Sequence, residues 1–310
     1  NNIIIENQHG FREKLSCETQ LIQAVDDWAR SLDHTGQTDV LLLDFSKAFD
    51  TVPHKRLLSK LQYYGINGST ANWIKGFLSN RKQQVLVNGS SSSLSDVISG
   101  VPQGSVLGPT LFLIYINDIT DGLNSPMRLF ADDSIIYREI HSQIDVATLQ
   151  EDLNKVYLWS TTWQMSFNVT KCFHLPITRK KRPIQSSYLM NGELVGKVDE
   201  YKYLGVTVSK DLRWSKHCQK VSSKARSTLG IVRRSLHSAP KLVKERAYQA
   251  LVRPQLEYAA ASWNPYTAKD STCLQKVQNA AARFVCSDYR MCSSVSAMQE
   301  SLGWHTLAQR

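Results

Sequence analysis

Asp132 and Asp133 stand side by side between Leu129-Phe130-Ala131 and Ile135-Ile136-Tyr137. Adjacent acids inside an apolar, strand-forming run are costly unless something compensates their charge. A second apolar run, "VLLLDF", ends in Asp44. Carboxylates presented by neighbouring strands suit Mg2+, which takes one or two carboxylates together with substrate phosphates. Paired metals drive in-line displacement at phosphorus. An Asp-Asp pair on its own is also an ordinary turn. The flanking apolar runs and the second acid-tipped strand favour the metal chemistry.

The elements that would position these acids follow from periodicity. Residues 39–45 form a continuous apolar run, which predicts a buried central strand. "RLFADDSIIY" predicts a hairpin with the acids at its tight turn. Apolar spacing predicts a helix over 18–32, another from Pro53 to the stop at Gly65, and a third over 70–78. Residues 83–89 and 94–99 read as two strands around an Asn-Gly-Ser turn. "GVPQGSVLGP" (100–109) is a Gly/Pro loop leading into an apolar helix, and 144–164 is helical. Residues 165–178 read as two short strands about Asn168 to Lys171. "SYLMNGELV" is a second Asn-Gly hairpin, and "YKYLGVTV" (201–208) a strand that closes this part. Three helices rich in Lys, Arg and Ala are expected at 215–236, 241–260 and 270–286, with a domain boundary near 210.

Charge is divided along the chain. Residues 1–170 hold 13 Lys/Arg against 18 Asp/Glu, and residues 171–310 hold 24 against 9. An acidic half therefore carries the candidate metal site, and a strongly basic half follows, which suggests a polyanionic partner. The six cysteines form no CxxC pair, which fits reduced thiols better than a disulfide framework or a zinc module. No run of 18 apolar residues occurs, so no membrane span is expected. The first residues, "NNIIIENQHG", have no initiator Met and no signal-peptide pattern, and are expected to lie inside a longer polyprotein.

Four motifs in register, "LLLDFSKAFDTVPHKRLLSKL", "GVPQGSVLGPTLFLIYINDI", "LFADDSIIY" and "YKYLGVTVSKDLRW", resemble the reverse transcriptase of non-LTR (LINE-type, jockey-like) retrotransposons. The likeness runs from "QHGFREKLSCETQL" (8–21) to "LQKVQNAAARFV" (274–285). It implies an α+β right-hand polymerase. Residues 1–210 would be the palm, an antiparallel sheet with packed helices, with partial fingers; residues 211–310 would be a basic helical thumb. The upstream fingers segment and an endonuclease would lie outside the chain. The implied partners are an RNA template, a DNA primer and dNTP. The implied cofactor is a pair of Mg2+ ions, with Mn2+ able to substitute. The implied location is nucleus and cytoplasm, within a ribonucleoprotein.

By the same resemblance, Asp44 and Asp132 are the metal-bridging carboxylates, with Asp133 beside them and the backbone carbonyl of Phe45 as a further ligand. Asp50 and Asp118 are read as helix-end or hydrogen-bonding residues. Phe49 would lie under the sugar of the incoming nucleotide and exclude a 2′-hydroxyl; an ordinary core Phe is the competing reading. Gln103 would touch the nucleotide and the template base, and Gly104 would keep that surface open. Lys171 would be a general acid near the leaving pyrophosphate, or a solvated surface Lys. Tyr203, Leu204 and Gly205 resemble the primer grip. Arg12 is expected to be structural. Three other readings stay open: a catalytically inactive remnant that only binds nucleic acid, another type of palm polymerase, and a basic structural or scaffold protein with no enzyme function.

Overall fold

The computed structural model describes residues 3–34 and 36–310. The chain divides into two compact units, Asn1–Asp199 and Glu200–Arg310.

The first unit is built on a five-stranded sheet. Its central strand, Gln37–Leu43, is buried along its whole length, because it has neighbours on both edges and helices packed against it. Antiparallel partners are Asp133–Glu139 on one side and Phe173–Thr178 on the other. Met127–Phe130 completes the first edge. The short strand Gly196–Lys197 pairs parallel to Phe173–Thr178, so the sheet is antiparallel except at that edge. Pro176 sits in Phe173–Thr178 beyond the two residues that pair with Gly196–Lys197, where a missing N–H leaves no ladder bond unmade on that side.

Helices close the sheet and are started by identifiable caps. Ser16 and Thr19 form a capping box for Cys17–Asp33, and Ser142 and Asp145 do so for Gln143–Trp163, each satisfying two orphan backbone donors. Helices His54–Tyr63, Gly68–Leu78 and the almost wholly buried Leu107–Ile116 complete the core. None of the described helices is long and apolar enough to cross a membrane.

Several expected elements come out differently. The region 83–99 forms only two-residue ladders, Lys82–Gln83 with Ser95–Asp96 and Leu86–Val87 with Ser90–Ser91. Val85, Leu86, Val87, Leu94 and Ile98 stay exposed, since no second layer covers this hairpin to lengthen its strands. In 165–178 only Phe173–Thr178 is a strand; Phe167 makes a single bridge to Phe45, and residues 169–171 form a 3-10 turn.

The second unit begins with the hairpin Glu200–Tyr203 and Val206–Ser209. "YKYLGVTV" is therefore two strands, because Leu204 and Gly205 both take positive φ (44° and 88°) and reverse the chain. This hairpin belongs to the helical unit, so the division falls at Asp199/Glu200 rather than near 210. Helices Ser215–Ser235 and Ala268–Cys286 run as expected. The segment 241–260 does not form one helix. Lys241–Ala247 passes through a π turn at Tyr248–Val252 into Arg253–Glu257. Pro254 has no N–H for the Ala250 carbonyl, and the wider turn is how the backbone passes it. A final helix, Val295–Ser301, had no clear signal in the sequence.

Candidate active site

The central ladder sets the site. Leu43 pairs with Ser134, so one step further along the register Asp44 comes beside Asp133. Phe130 pairs with Asp133, which makes Ala131-Asp132 the two-residue turn and Asp133 the first residue of the outgoing strand. Opposed residues on antiparallel strands have Cα atoms about 4.5–5.5 Å apart. Three carboxylates therefore converge at one end of the sheet.

Their electrostatics show the crowding. Asp132 is half-buried, and its pKa is raised by desolvation and by the Asp44 charge. Asp133 is pushed up to about 6, by desolvation first and then by the charges of Asp132 and Asp44. Asp133 keeps solvent contact. The cation beside them is Lys171, whose Nζ lies 3.9 Å from Asp44 Oδ2 on a largely exposed side chain.

The turn that carries Asp132 is held from behind by a residue sequence reasoning missed. Ala131 has φ of +54°, a conformation that costs a non-glycine residue about 1–2 kcal/mol. The buried Gln8 side chain answers both sides of that residue. Its Oε1 accepts from Ala131 N (2.8 Å), and its Nε2 donates to Ala131 O (3.3 Å). The segment 7–9 also bonds to Leu129, through Leu129 N to Asn7 O and His9 N to Leu129 O. A Cβ on Gly10 would stand 2.3 Å from Ala131 N, so only glycine lets this strap approach. The signal was "QHG" at the start of the first matching segment. Arg12 donates to the carbonyls of Ile5 and Gln8, and so supports the same strap.

The segment after Asp44 is tied to the 166–172 loop. Asn168 N donates to Asp44 O and Ser46 N to Ser166 O, both at 2.8 Å. That bridge leaves the Phe45 carbonyl out of its hydrogen bonds, while the Phe45 ring is buried and stacked on Phe167 at 4.2 Å. Phe49 is half-buried, stacked on Phe112 at 4.4 Å and edge-on to Phe11. Asp50 accepts from Gln103 Nε2 (3.0 Å). Gly100 lies against the Asp50 backbone, where a Cβ would meet it at 2.7–2.9 Å. Gly104, with φ of +80°, has open space around it. Asp118 pairs with Lys60 and accepts from Trp159 Nε1. Thus Asp44, Asp132, Asp133 and Lys171 gather, and Phe49 and Gln103 are held by Phe112 and Asp50. Tyr203, Leu204 and Gly205 belong to the second unit. There Tyr258 donates to Leu204 O (3.0 Å), and its ring lies 2.9 Å from where a Gly205 Cβ would be.

Among the described residues, no group of three His, Cys, Asp or Glu side chains stands in metal-holding geometry. Mg2+ does not require such a cage, since substrate phosphates complete its shell. All-oxygen donors and a surplus of negative charge fit a hard divalent cation.

Residues 1–208 match the family "Reverse transcriptase (RNA-dependent DNA polymerase)". The chain belongs to this family. It is similar to the RNA-directed DNA polymerase from mobile element jockey of Drosophila funebris, 31% identical over 264 residues, covering 81% of this chain and 29% of that protein. It is also similar to the probable RNA-directed DNA polymerase from transposon X-element of Drosophila melanogaster, 28% identical over 295 residues, covering 90% and 32%. The chain spans less than a third of the length of these relatives. Among solved structures, telomerase from Candida albicans in complex with a telomeric RNA fragment aligns at 11% identity over 92% of this chain and 51% of that one. Its TM-score is 0.46, too loose a likeness for assigning parts. Within the reverse transcriptase family, the sheet and its acidic end correspond to the α+β palm expected from the sequence.

Proposed function

We propose that this chain carries the polymerising core of an RNA-directed DNA polymerase. With an RNA template and a DNA primer, it adds dNMP to the primer 3′-hydroxyl and releases pyrophosphate. The observation that carries this reading is the meeting of Asp44 with Asp132 and Asp133 at one end of the sheet. Asp44 and Asp132, with the carbonyl of Phe45, would hold two Mg2+ ions, and Asp133 stands beside them. When bound, such ions activate the attacking hydroxyl and offset charge on the phosphoryl oxygens.

The remaining roles belong to the chain itself. Lys171, beside Asp44, would give a proton to the departing pyrophosphate. Phe49, fixed by its stack on Phe112, would present a rigid ring beneath the sugar and exclude a 2′-hydroxyl. Gln103, tethered by Asp50, would face the nucleotide and template base next to the open surface at Gly104. The turn Tyr203-Leu204-Gly205 would hold the primer end, a proximity effect.

The test is dTTP incorporation on poly(rA)/oligo(dT) with Mg2+, with Mn2+ as the substitute ion. Incorporation by the unaltered chain and its loss in Asp132→Asn is the expected result. No incorporation, alongside tight duplex binding, would leave a nucleic-acid-binding remnant. For Phe49→Ala, the ratio of dNTP to NTP use should fall at least tenfold; equal use of both by the unaltered protein removes the gate.

A further inference from the structure

The second unit contains a cavity of about 730 Å³ whose lining includes Arg233, Arg234, His237, Lys244 and Tyr289. Among the described residues, no carboxylate lines it. Lys244 is only 5% exposed; its ammonium donates to Ser287 Oγ (2.8 Å) and lies 5.3 Å from the centroid of the Phe284 ring. Among the described residues, no carboxylate lies within ion-pair distance of Lys244, Arg233 or Arg234. The nearby acids are engaged elsewhere. Asp288 holds Arg290 and Ser293, and Glu245 holds Trp304 and Gln249.

A buried ammonium with one hydroxyl partner is normally paired with an anion. Two helices, Ser215–Ser235 and Ala268–Cys286, end at this cavity, and their C-termini attract cations. That attraction amounts to about half a negative charge per helix. Together the two ends offset roughly one of the three positive charges of Lys244, Arg233 and Arg234. Helix-end stabilisation therefore explains part of the cluster and leaves a net positive hollow.

Tyr289 adds the second element. The Arg233 guanidinium lies 5.2 Å from the ring centroid, and the residue is 53% exposed. An exposed ring beside a cationic hollow suits an unpaired base, since stacking on a lone side chain needs a base outside a duplex. We propose that this cavity takes a phosphoryl group of single-stranded nucleic acid, seated on Lys244 with Arg233 and Arg234, while the adjacent base stacks on Tyr289. This rests on the polymerase reading for its choice of polyanion, and it adds a single-strand site in the second unit.

The test uses the full chain, without Mg2+ or dNTP, and a fluorescent oligo(rU) carrying one 4-thiouridine. Cross-linking should map to residues 284–289, and inorganic phosphate should compete only weakly. Arg233→Gln/Arg234→Gln should make the plot of log affinity against log salt shallower by about 1. Tyr289→Ser should weaken binding about tenfold. Lys244→Met, checked for folding by circular dichroism, should lose the cross-link. Asp132→Asn should keep it, because the readout needs no chemistry. A folded Lys244→Met with unchanged cross-linking and salt slope overturns the site and leaves only helix-end stabilisation. Inorganic phosphate displacing the strand as well as a competing oligonucleotide does equally overturns it, in favour of a small-anion site. In the unaltered chain, no oligo(rU) cross-link alongside intact incorporation sinks the cavity alone; no incorporation alongside the cross-link sinks the polymerase reading alone.

Discussion

The acidic end of the palm sheet and the basic cavity of the helical unit are opposite solutions to one problem, holding excess charge in place. At the sheet, Asp44 and Asp132-Asp133 are brought together by backbone register, and burial together with their mutual repulsion raises the pKa values of Asp132 and Asp133. At the cavity, Lys244, Arg233 and Arg234 come from two helices that meet at the end of a third. Register fixes position through a ladder of hydrogen bonds that tolerates many side-chain changes. Convergence of helix ends fixes position only through the packing around each side chain. The acidic site should therefore tolerate side-chain changes along its ladder, the Gln8 strap apart, but lose everything when one carboxylate is neutralised. The basic cavity should lose affinity in graded steps at Arg233, Arg234 and Tyr289, and its cross-link only at the buried Lys244.

The sharpest break in that comparison is Asp132→Asn. Incorporation is expected to fall about 10³-fold, comparable to removing a principal electrostatic group from an active site. Melting temperature should hold or rise, because one of three crowded negative charges is gone. Equal losses of activity and stability would mean that the carboxylate is a structural group.

How much of this was legible in the sequence follows the same division. Asp44 and Asp132 each end or interrupt an apolar strand run, which marks them as candidates, and the family resemblance implies their meeting 88 positions apart in sequence. The Gln8 strap was not legible, because a glutamine bonding a turn more than 120 residues away leaves no periodic trace. Neither was the tether from Gln103 to Asp50. The hairpin at Leu204-Gly205 reads as one strand because strand-forming residues flank the turn on both sides; the positive φ of both residues breaks it. The basic half was legible as charge, but not as a cavity. Helix periodicity says which face is polar, not which helix ends meet.

The next largest effect tests whether register alone is enough for the acidic end. Gln8→Ala removes both hydrogen bonds to the strained Ala131 while leaving every carboxylate in the sequence. We expect incorporation to fall about 10–100-fold, mostly in kcat, because a small displacement of the turn misplaces Asp132. The loss of two buried hydrogen bonds should lower stability by about 1–3 kcal/mol. Gln8→Glu, which keeps the acceptor to Ala131 N and loses the donor, should fall between the two. Activity unchanged in Gln8→Ala would show that the ladder holds the turn without help.

Lys60 provides the smallest effect and the control for Lys244. Both are buried lysines, but Lys60 is satisfied inside the protein. It bonds the Tyr115 carbonyl and Asp118 and lies 3.8 Å from the centroid of the Trp163 ring, with Tyr115 and Trp159 completing an aromatic cage. Burial nonetheless lowers its pKa from 10.5 to about 8, against the opposing pull of Asp118. Below pH 8 both folded and unfolded chains hold the proton, so its burial is a constant cost. Between about pH 8 and 10.5 the folded chain releases the proton first, so folding becomes more favourable as pH rises. Measured against Lys60→Met, the unaltered chain should gain about 1–2 kcal/mol between pH 8 and 9.5. Asp118 keeps its bond from Trp159 Nε1 in that variant, so the comparison does not strand a buried carboxylate. Adding the oligo(rU) probe should leave this difference unchanged, because Lys60 is already paired. The corresponding difference for Lys244→Met should grow with probe, since only the unaltered chain gains binding energy in its folded state. A Lys60 difference that follows the probe, or a Lys244 difference that ignores it, would erase the contrast between a satisfied buried charge and one that waits for a ligand.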